Sequence, residues 1–591
     1  MKFKRGGAAV AVTVAIVGLA VFSGSAQPPG GIIVERNQTA KMRDGIELNA
    51  DVYRPADAGK YPVLLTRTPY DKAGENAFGV RAAQQGYVVI AQDVRGRFSS
   101  DGEFYTFKNE GVDGYDTIEW AAALPYSDGR VAMFGASYVG ATQWLPAMLH
   151  PPHLVAIAPT VTASNYHDGW AYMGGALEQW FDESWSSQLA ADTLRRKSTV
   201  TDGLKEMIKT LPVASYALID PAPANTLAPY FKDWVDHPDY DDYWKQWTIE
   251  DHHGEVRVPA FNTGGWYDIF IRGTIRNYVG MTKNGGTPEA RAGQHLLIGP
   301  WYHGPLGSKT GDVDFGPTAS METGGMGPGG ILRWYDFLLK HVDNEFAGQK
   351  PVKIFVMGKN VWREESSWPL ERAQSTHFYF HSGGKANSEK GDGSLTTAAP
   401  AAGQAQDSFS YDPANPVPTR GGGLCCPNDV LASGAFDQRA VENRPDVLVY
   451  STPALEKDTE VTGPISVELY IKSSAVDTDF TAKLVDVGPD GYARNLIDGI
   501  QRARYRDSAE KAEMMKPGEV YRLSLDLAGT SNVFLAGHRI RVEISSSNFP
   551  RFNRNLNTEE DPGHGTKWVT ATNSVLHDAR HPSSVILPIV P

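Results

Sequence analysis

Short runs of consecutive apolar residues recur from Arg43 to His303, separated by amphipathic or turn-rich segments. VLLTR, YVVIAQ and LVAIAP show no alternation, as expected of strands buried on both faces of a mostly parallel, helix-covered sheet. The pattern predicts strands at Pro62 to Arg67, Tyr87 to Gln92, Arg130 to Phe134, Val155 to Pro159, Pro259 to Thr263 and His295 to Ile298. Ala141 to Leu149 is compatible with a crossover helix between the third and fourth of these. The pattern breaks between about Asn165 and Gly254. There Leu177, Trp180, Phe181, Trp185 and Leu189, and then Leu204, Met207, Ile208 and Leu211, recur at spacings of three and four, which predicts a helical insertion. Beyond about Lys353 the texture changes to short, partly alternating segments without helices between them: Val447 to Tyr450, Ile465 to Ile471, Phe480 to Val487, Tyr521 to Leu527 and Arg539 to Ser545. These predict a sandwich or jelly roll, and the Gly/Ser/Ala/Pro-rich Ser382 to Thr419 predicts loop.

A chain of 591 residues exceeds one hydrophobic core and divides into about two to four domains. The periodicities place an α/β domain at 27–164 and 254–350, a helical insertion at 165–253 and a C-terminal β domain at 351–591. Net charge of −13 argues against nucleic acid as a partner. Lys2, Lys4 and Arg5 precede an apolar run from Ala8 to Phe22, with Gly24 and Ala26 ahead of Gln27. Residues 1–26 therefore read as a signal peptide, the run being short of the ~20 residues that span a bilayer. The chain is expected to be exported, periplasmic or extracellular, with no membrane contact after cleavage.

The stretch RVAMFGASYVG sets Ser137 where a strand turns into a helix, with Gly135 before it and Gly140 three residues after. Such a turn exposes a hydroxyl above the sheet; G-x-S alone is more often an ordinary glycine turn, and the strand before it and helix after it reverse that balance. A serine nucleophile requires a histidine to take its proton and an acid to orient that histidine, following in the order serine, acid, histidine. Asp268 lies just past PAFNT in GGWYD, and His303 just past HLLIG in PWYHG. Each sits where open parallel sheets bind ligands. Asp268 taken alone could instead cap a helix beginning near Phe270. The Tyr138 amide is the natural first oxyanion donor, and the Tyr70 hydroxyl in TPYDK is an open candidate for the second. Ten of the 14 tryptophans lie between Trp120 and Trp301, and Trp170 and Trp266 are candidates for the substrate wall. The adjacent Cys425 and Cys426 are the two cysteines of the chain. They could form a vicinal disulfide or remain a buried apolar pair, and no metal-ligand spacing accompanies them.

RTPYDK, DVRGRFSSDGEF, GRVAMFGASYVGATQW, DHPDYDDYW, GGWYD and IGPWYHG, with SSAVDTDFTAKLVDVGPDG and SNVFLAGHRIRVEISSSNFPRFNRN, together resemble the cocaine esterase and X-Pro dipeptidyl peptidase family of serine hydrolases. The resemblance covers nearly the whole mature chain. It implies an α/β-hydrolase domain with an inserted helical cap and a C-terminal jelly roll. It also implies Ser137 as nucleophile, His303 as base and acid, Asp268 as its orienter, Tyr70 and Tyr138 as oxyanion donors, and no cofactor. Members acting on α-amino acid esters carry acidic residues just after the triad aspartate. Here Ile269, Phe270, Ile271 and Arg272 stand there, so the resemblance favours an uncharged or aromatic acyl group. Glu178, Asp182 and Glu183 could substitute, against an expectation of solvated helix positions. The loop corresponding to Cys425 and Cys426 lines the acyl pocket in the cocaine esterase branch. The expected partner is a small ester, with amides (β-lactam acylase or X-Pro peptidase chemistry) as the alternative and a carbohydrate- or surface-binding protein as a remote one. A homo-oligomer is left open.

Overall fold

The computed structural model describes residues 31–193, 208–215, 227–426 and 430–591. Residues 1–26, expected as a signal peptide, and Leu204 and Met207 of the second helical repeat, lie outside them. The first sheet has ten strands: β1 (Ile32–Lys41), β2 (Glu47–Pro55), β3 (Tyr61–Thr68), β4 (Val88–Asp93), β5 (Ser127–Ala136), β6 (Leu154–Thr160), β7 (Phe261–Tyr267), β8 (His295–Tyr302), β9 (Val352–Val356) and β10 (Val361–Glu365). Its spatial order is β1-β2-β4-β3-β5-β6-β7-β8-β9-β10. All neighbours from β4 to β9 run parallel, and the two ends are antiparallel.

The unbroken apolar runs are explained by the two faces of this sheet. Val63 and Leu65 join one core with α2 (Glu110–Ala122) and α3 (Tyr138–Ala147). Leu64, between them, joins the opposite core with α1 (Asn76–Gln84) and α6 (Ile331–Lys340). Successive strand side chains alternate faces, so a strand covered on both sides reads as a near-continuous apolar run.

Two elements depart from the sequence expectation at this level. β1 carries the polar string VERNQT and is mostly exposed at the sheet edge, so no apolar run marked it. At the other end, β9 pairs in parallel with β8 and β10 returns antiparallel, so the first sheet continues past residue 350 to Glu365.

The insertion holds a short hairpin (Tyr172–Met173 with Ala176–Leu177), α4 (Gln179–Thr193) and a helix at Pro229–Asp236. Trp180, Phe181, Trp185 and Leu189 of α4 are buried in the same core as α2 and α3. The C-terminal β-rich part forms a second sheet of eleven strands, with Thr459–Ser473 paired along most of its length to Val520–Phe534. Ser382 to Thr419, expected as loop, contributes two of its strands, Ser394–Thr396 and Asp407–Tyr411. Its physical anchor is the buried Asp407 carboxylate, which accepts from Ser382 Oγ (2.7 Å) and Tyr450 Oη (2.8 Å) and pairs with His577 Nε2 (2.9 Å).

Candidate active site

Ser137 joins β5 to α3 with φ 62° and ψ −126°, a backbone region that L-residues rarely occupy and that a nucleophile turn requires. Both glycines of the motif follow from close packing. A Cβ on Gly135 would lie 2.1 Å from Val139 Cγ1, and one on Gly140 would lie 2.7 Å from Thr162 Cβ in the loop after β6. The wide glycine spacing therefore lets α3 press against that loop.

The three candidates meet at the carboxyl ends of the parallel strands. His303 Nε2 is 3.0 Å from Ser137 Oγ, and His303 Nδ1 is 2.9 Å from Asp268 Oδ2. The second Asp268 oxygen accepts the Phe270 amide at 2.7 Å, just before α5 (Ile271–Asn284). The aspartate thus steers the histidine and also holds the entry to a helix. The Phe270 ring stands edge-on to the imidazole, with centroids 5.1 Å apart.

Tyr138 opens α3, so its amide belongs to the first N–H groups of the helix, which have no acceptor within it. Its own side chain is anchored: the hydroxyl donates to Glu110 Oε1 (3.0 Å) and accepts from Phe107 N (2.9 Å), and Glu110 pairs with the buried Arg67 (2.9 Å). Tyr70 Oη accepts from Trp185 Nε1 at 2.9 Å and has the Ser137 side chain as a hydrogen-bond neighbour. Although 42% of Tyr70 is exposed, its hydroxyl lies among buried atoms, and that desolvation pushes its pKa up to about 12. It remains a donor throughout the working range of a serine hydrolase. The loop carrying it is braced by Arg97, whose guanidinium donates to Pro69 O (2.9 Å) and, on α4, to Leu189 O (2.8 Å). Spacing did not reveal this brace or the Arg67–Glu110–Tyr138 chain, and the one available signal was the density of arginines in RTPYDK and DVRGRF.

Trp170 is fully buried and stacks on Phe270 with centroids 4.5 Å apart, one ring removed from His303. Trp185, 5.4 Å from Trp170, and Phe181, 5.5 Å from Phe270, extend the same wall. Trp266 is not brought to the serine. Its indole donates to Phe355 O (2.8 Å) and packs on Trp368, in the core shared with the second sheet. Cys425 and Cys426 are joined as a vicinal disulfide in the apolar cluster that holds Trp170 and Phe270, and Gly423 of their loop abuts the Asp268 carbonyl.

The solvated positions expected for Glu178, Asp182 and Glu183 are overturned: all three are buried at 0–1% exposure. Burial pushes Glu178 up to about 7 against the pull of Arg551, 3.4 Å away, and it raises Asp182 and Glu183 well above the usual carboxylate range. Among the described residues, neither Asp182 oxygen has a hydrogen-bond partner. The folded protein therefore holds a proton that the unfolded chain releases above pH ~4, and that contribution to stability fades as pH rises. Asp182→Asn is expected to raise Tm at pH 8 by about 2 °C and to leave it nearly unchanged at pH 4. Scanning calorimetry at the two pH values checks this, and a gain independent of pH would contradict it.

Arg272 occupies the region where an acidic pair would stand. It is 6% exposed, pairs with Asp168 of the insertion at 3.1 Å and donates to Asp526 O at 2.6 Å. The helix after the triad aspartate is thus committed to tying three parts of the chain together through a cation.

Comparison with known proteins agrees with this geometry. The family model described as X-Pro dipeptidyl-peptidase (S15 family) matches residues 44–305, and that of the X-Pro dipeptidyl-peptidase C-terminal non-catalytic domain matches residues 344–586. The chain is 38% identical over 583 residues to the cocaine esterase of Rhodococcus sp. (strain MB1 Bresler), covering 95% of this chain and 99% of that one. Among solved structures it resembles an aminopeptidase from a marine sediment Thaumarchaeota archaeon (TM-score 0.82, 26% identity, 95% and 97% of the two chains). It also resembles an α-amino acid ester hydrolase (TM-score 0.78, 25% identity, 96% and 98%).

Proposed function

The chain belongs to the cocaine esterase and X-Pro dipeptidyl-peptidase family of serine hydrolases, and on that premise we propose that it cleaves small carboxylic esters through an acyl-enzyme on Ser137. The observation that carries this reading is the continuous relay Asp268–His303–Ser137, with bonds of 2.9 and 3.0 Å. His303 Nε2 takes the Ser137 proton during attack, Asp268 stabilises the imidazolium formed, and the same nitrogen returns the proton to the leaving alcohol. The tetrahedral oxyanion accepts from the Tyr138 amide and the Tyr70 hydroxyl. Water then repeats the sequence and releases the acid.

An uncharged or aromatic acyl group is favoured by the ring wall of Trp170, Phe181, Trp185 and Phe270, and by the buried cation Arg272 just beyond the triad. Amide hydrolysis is the second reading, supported by the likeness to an aminopeptidase. A panel of p-nitrophenyl benzoate, an X-Pro anilide and a cephalosporin, with Ser137→Ala as control, separates the two. The ester is expected to be turned over fastest, and faster cleavage of either amide would replace the ester reading. The disulfide loop is read as the far edge of the acyl pocket. Cys425→Ala/Cys426→Ala is therefore expected to change the benzoate-to-acetate ratio of kcat/KM several-fold, and an unchanged ratio would remove the loop from the pocket. The leader pattern supports export to the periplasm or beyond, and we read the C-terminal sheet as a jelly roll.

A further inference from the structure

Tyr70 is held at two points from one helix. Trp185 Nε1 of α4 donates to its hydroxyl at 2.9 Å. One turn further along, Leu189 O accepts from Arg97 Nη1 at 2.8 Å, while Arg97 Nε donates at 2.9 Å to Pro69 O, the carbonyl of the peptide bond to Tyr70. Residues four apart on a helix share a face, so α4 grips the phenol directly and the backbone behind it through Arg97. The loop has a separate anchor on β4. Lys72 N and Nζ donate to the Asp93 carboxylate at 2.8 and 3.2 Å, and Val94 N donates to Thr68 O at 3.0 Å. Those bonds keep the loop in place without Arg97, whose contribution is therefore to the aim of one side chain.

The charge of Arg97 is paired differently from that of other buried arginines. Arg67 meets Glu110 at 2.9 Å, Arg504 meets Asp477 at 2.7 Å, and Arg502 meets Asp479 through two bonds of 2.9 Å. Arg97 is 2% exposed, donates to two neutral carbonyls and lies against the rings of Phe98 and Phe104, 5.5 and 5.1 Å from their centroids. Its carboxylate neighbour, Asp192, is 3.5 Å away and 24% exposed. A buried charge without a close counter-ion costs stability, and such groups cluster where charge develops in a reaction. Burial raises the pKa of the Tyr70 hydroxyl, and the Arg97 charge is among the influences that oppose it. An oxyanion accepting from that hydroxyl lies in the same field. We propose that Arg97 is a positioning residue of the oxyanion hole, which aims the Tyr70 hydroxyl from α4 and strengthens it as a donor through a loosely paired charge. This rests on the acyl-enzyme reading above and adds to it the group that sets one of its oxyanion donors.

The test is a double-mutant cycle on p-nitrophenyl benzoate. Arg97→Gln is expected to lower kcat at least ~10-fold with KM little changed, but no more than ~2-fold when Tyr70 is already phenylalanine. Arg97→Lys, which restores the charge without the fork, is expected to recover part of the loss. Equal losses in the two backgrounds, a loss carried by KM, or no recovery by lysine would overturn the role. Asp192→Asn leaves Arg97 untouched and keeps an acceptor for Phe98 N, 3.5 Å away. Removing this countercharge is expected to raise kcat ~2-fold, and only where Tyr70 is present. An unchanged or lowered kcat would overturn the proposal even if Arg97→Gln failed to fold. Should the benzoate resist cleavage while an X-Pro anilide is turned over, the ester reading fails alone, and the same cycle on the anilide tests Arg97, because both bonds break through an oxyanion.

Discussion

Replacing Ser137 by alanine is expected to lower kcat/KM for a p-nitrophenyl ester by a factor on the order of 10⁶ while leaving the protein folded. The size follows from the way the relay works as a unit. His303 Nε2 serves the Ser137 hydroxyl at 3.0 Å, and an imidazole without that nucleophile leaves only the background stabilisation supplied by the oxyanion donors. The fold is expected to survive because the hydroxyl's recorded partners, His303 and Tyr70, belong to the site and not to the core. Alanine meets the same strain at φ 62° that serine does, so the turn itself is not relaxed. Circular dichroism and Tm close to those of the unmodified protein, alongside the lost rate, would separate this outcome from unfolding.

Tyr70→Phe is expected to cost about 10²–10³ in kcat with KM little changed, equivalent to ~3–4 kcal/mol of transition-state stabilisation. The Tyr70 hydroxyl is held by Trp185 Nε1 at 2.9 Å and its loop by Arg97, so the donor is positioned before substrate arrives. Its pKa of about 12 keeps the proton in place, and the deficit is therefore expected to be constant from pH 6 to 9. A purely structural role would show as a parallel rise in KM and fall in Tm. Loss of the phenol also leaves the Trp185 N–H without its acceptor, which costs about 1–3 kcal/mol of stability at most. The rate effect is expected to exceed that.

Most of the central sheet could be read from apolar runs, because strands covered on both faces leave few polar positions to confuse the pattern. The predicted Val155 to Pro159 strand, for instance, is found at Leu154–Thr160. β1 escaped because an edge strand is half solvated and reads as polar. The C-terminal boundary moved for a related reason. Val352–Val356 is a short strand whose partner is set by its contact with β8, a long-range fact that local composition does not contain.

The relay was legible because each member sits at a fixed place, just after a strand end, and the order of the three is fixed by topology. What surrounds it was less so. Glu178, Asp182 and Glu183 look like the polar side of an amphipathic helix, yet the insertion is covered on that side too, and Arg551 from the C-terminal part reaches Glu178. Trp266 stands in the same motif as Asp268, but its ring packs on Trp368 and its indole donates to Phe355 O, in the core shared with the second sheet. Adjacency in sequence placed it near the site, and packing against Trp368, a contact distant in sequence, took it away.

The most direct test is intact-mass and peptide analysis after exposure to an aryl phosphonate that mimics the tetrahedral intermediate. The account predicts one phosphonyl group per chain, located on the peptide containing Ser137, abolished by Ser137→Ala and slowed by His303→Ala. A protein that hydrolyses esters without acquiring the adduct, or that carries it on a residue other than Ser137, would contradict it.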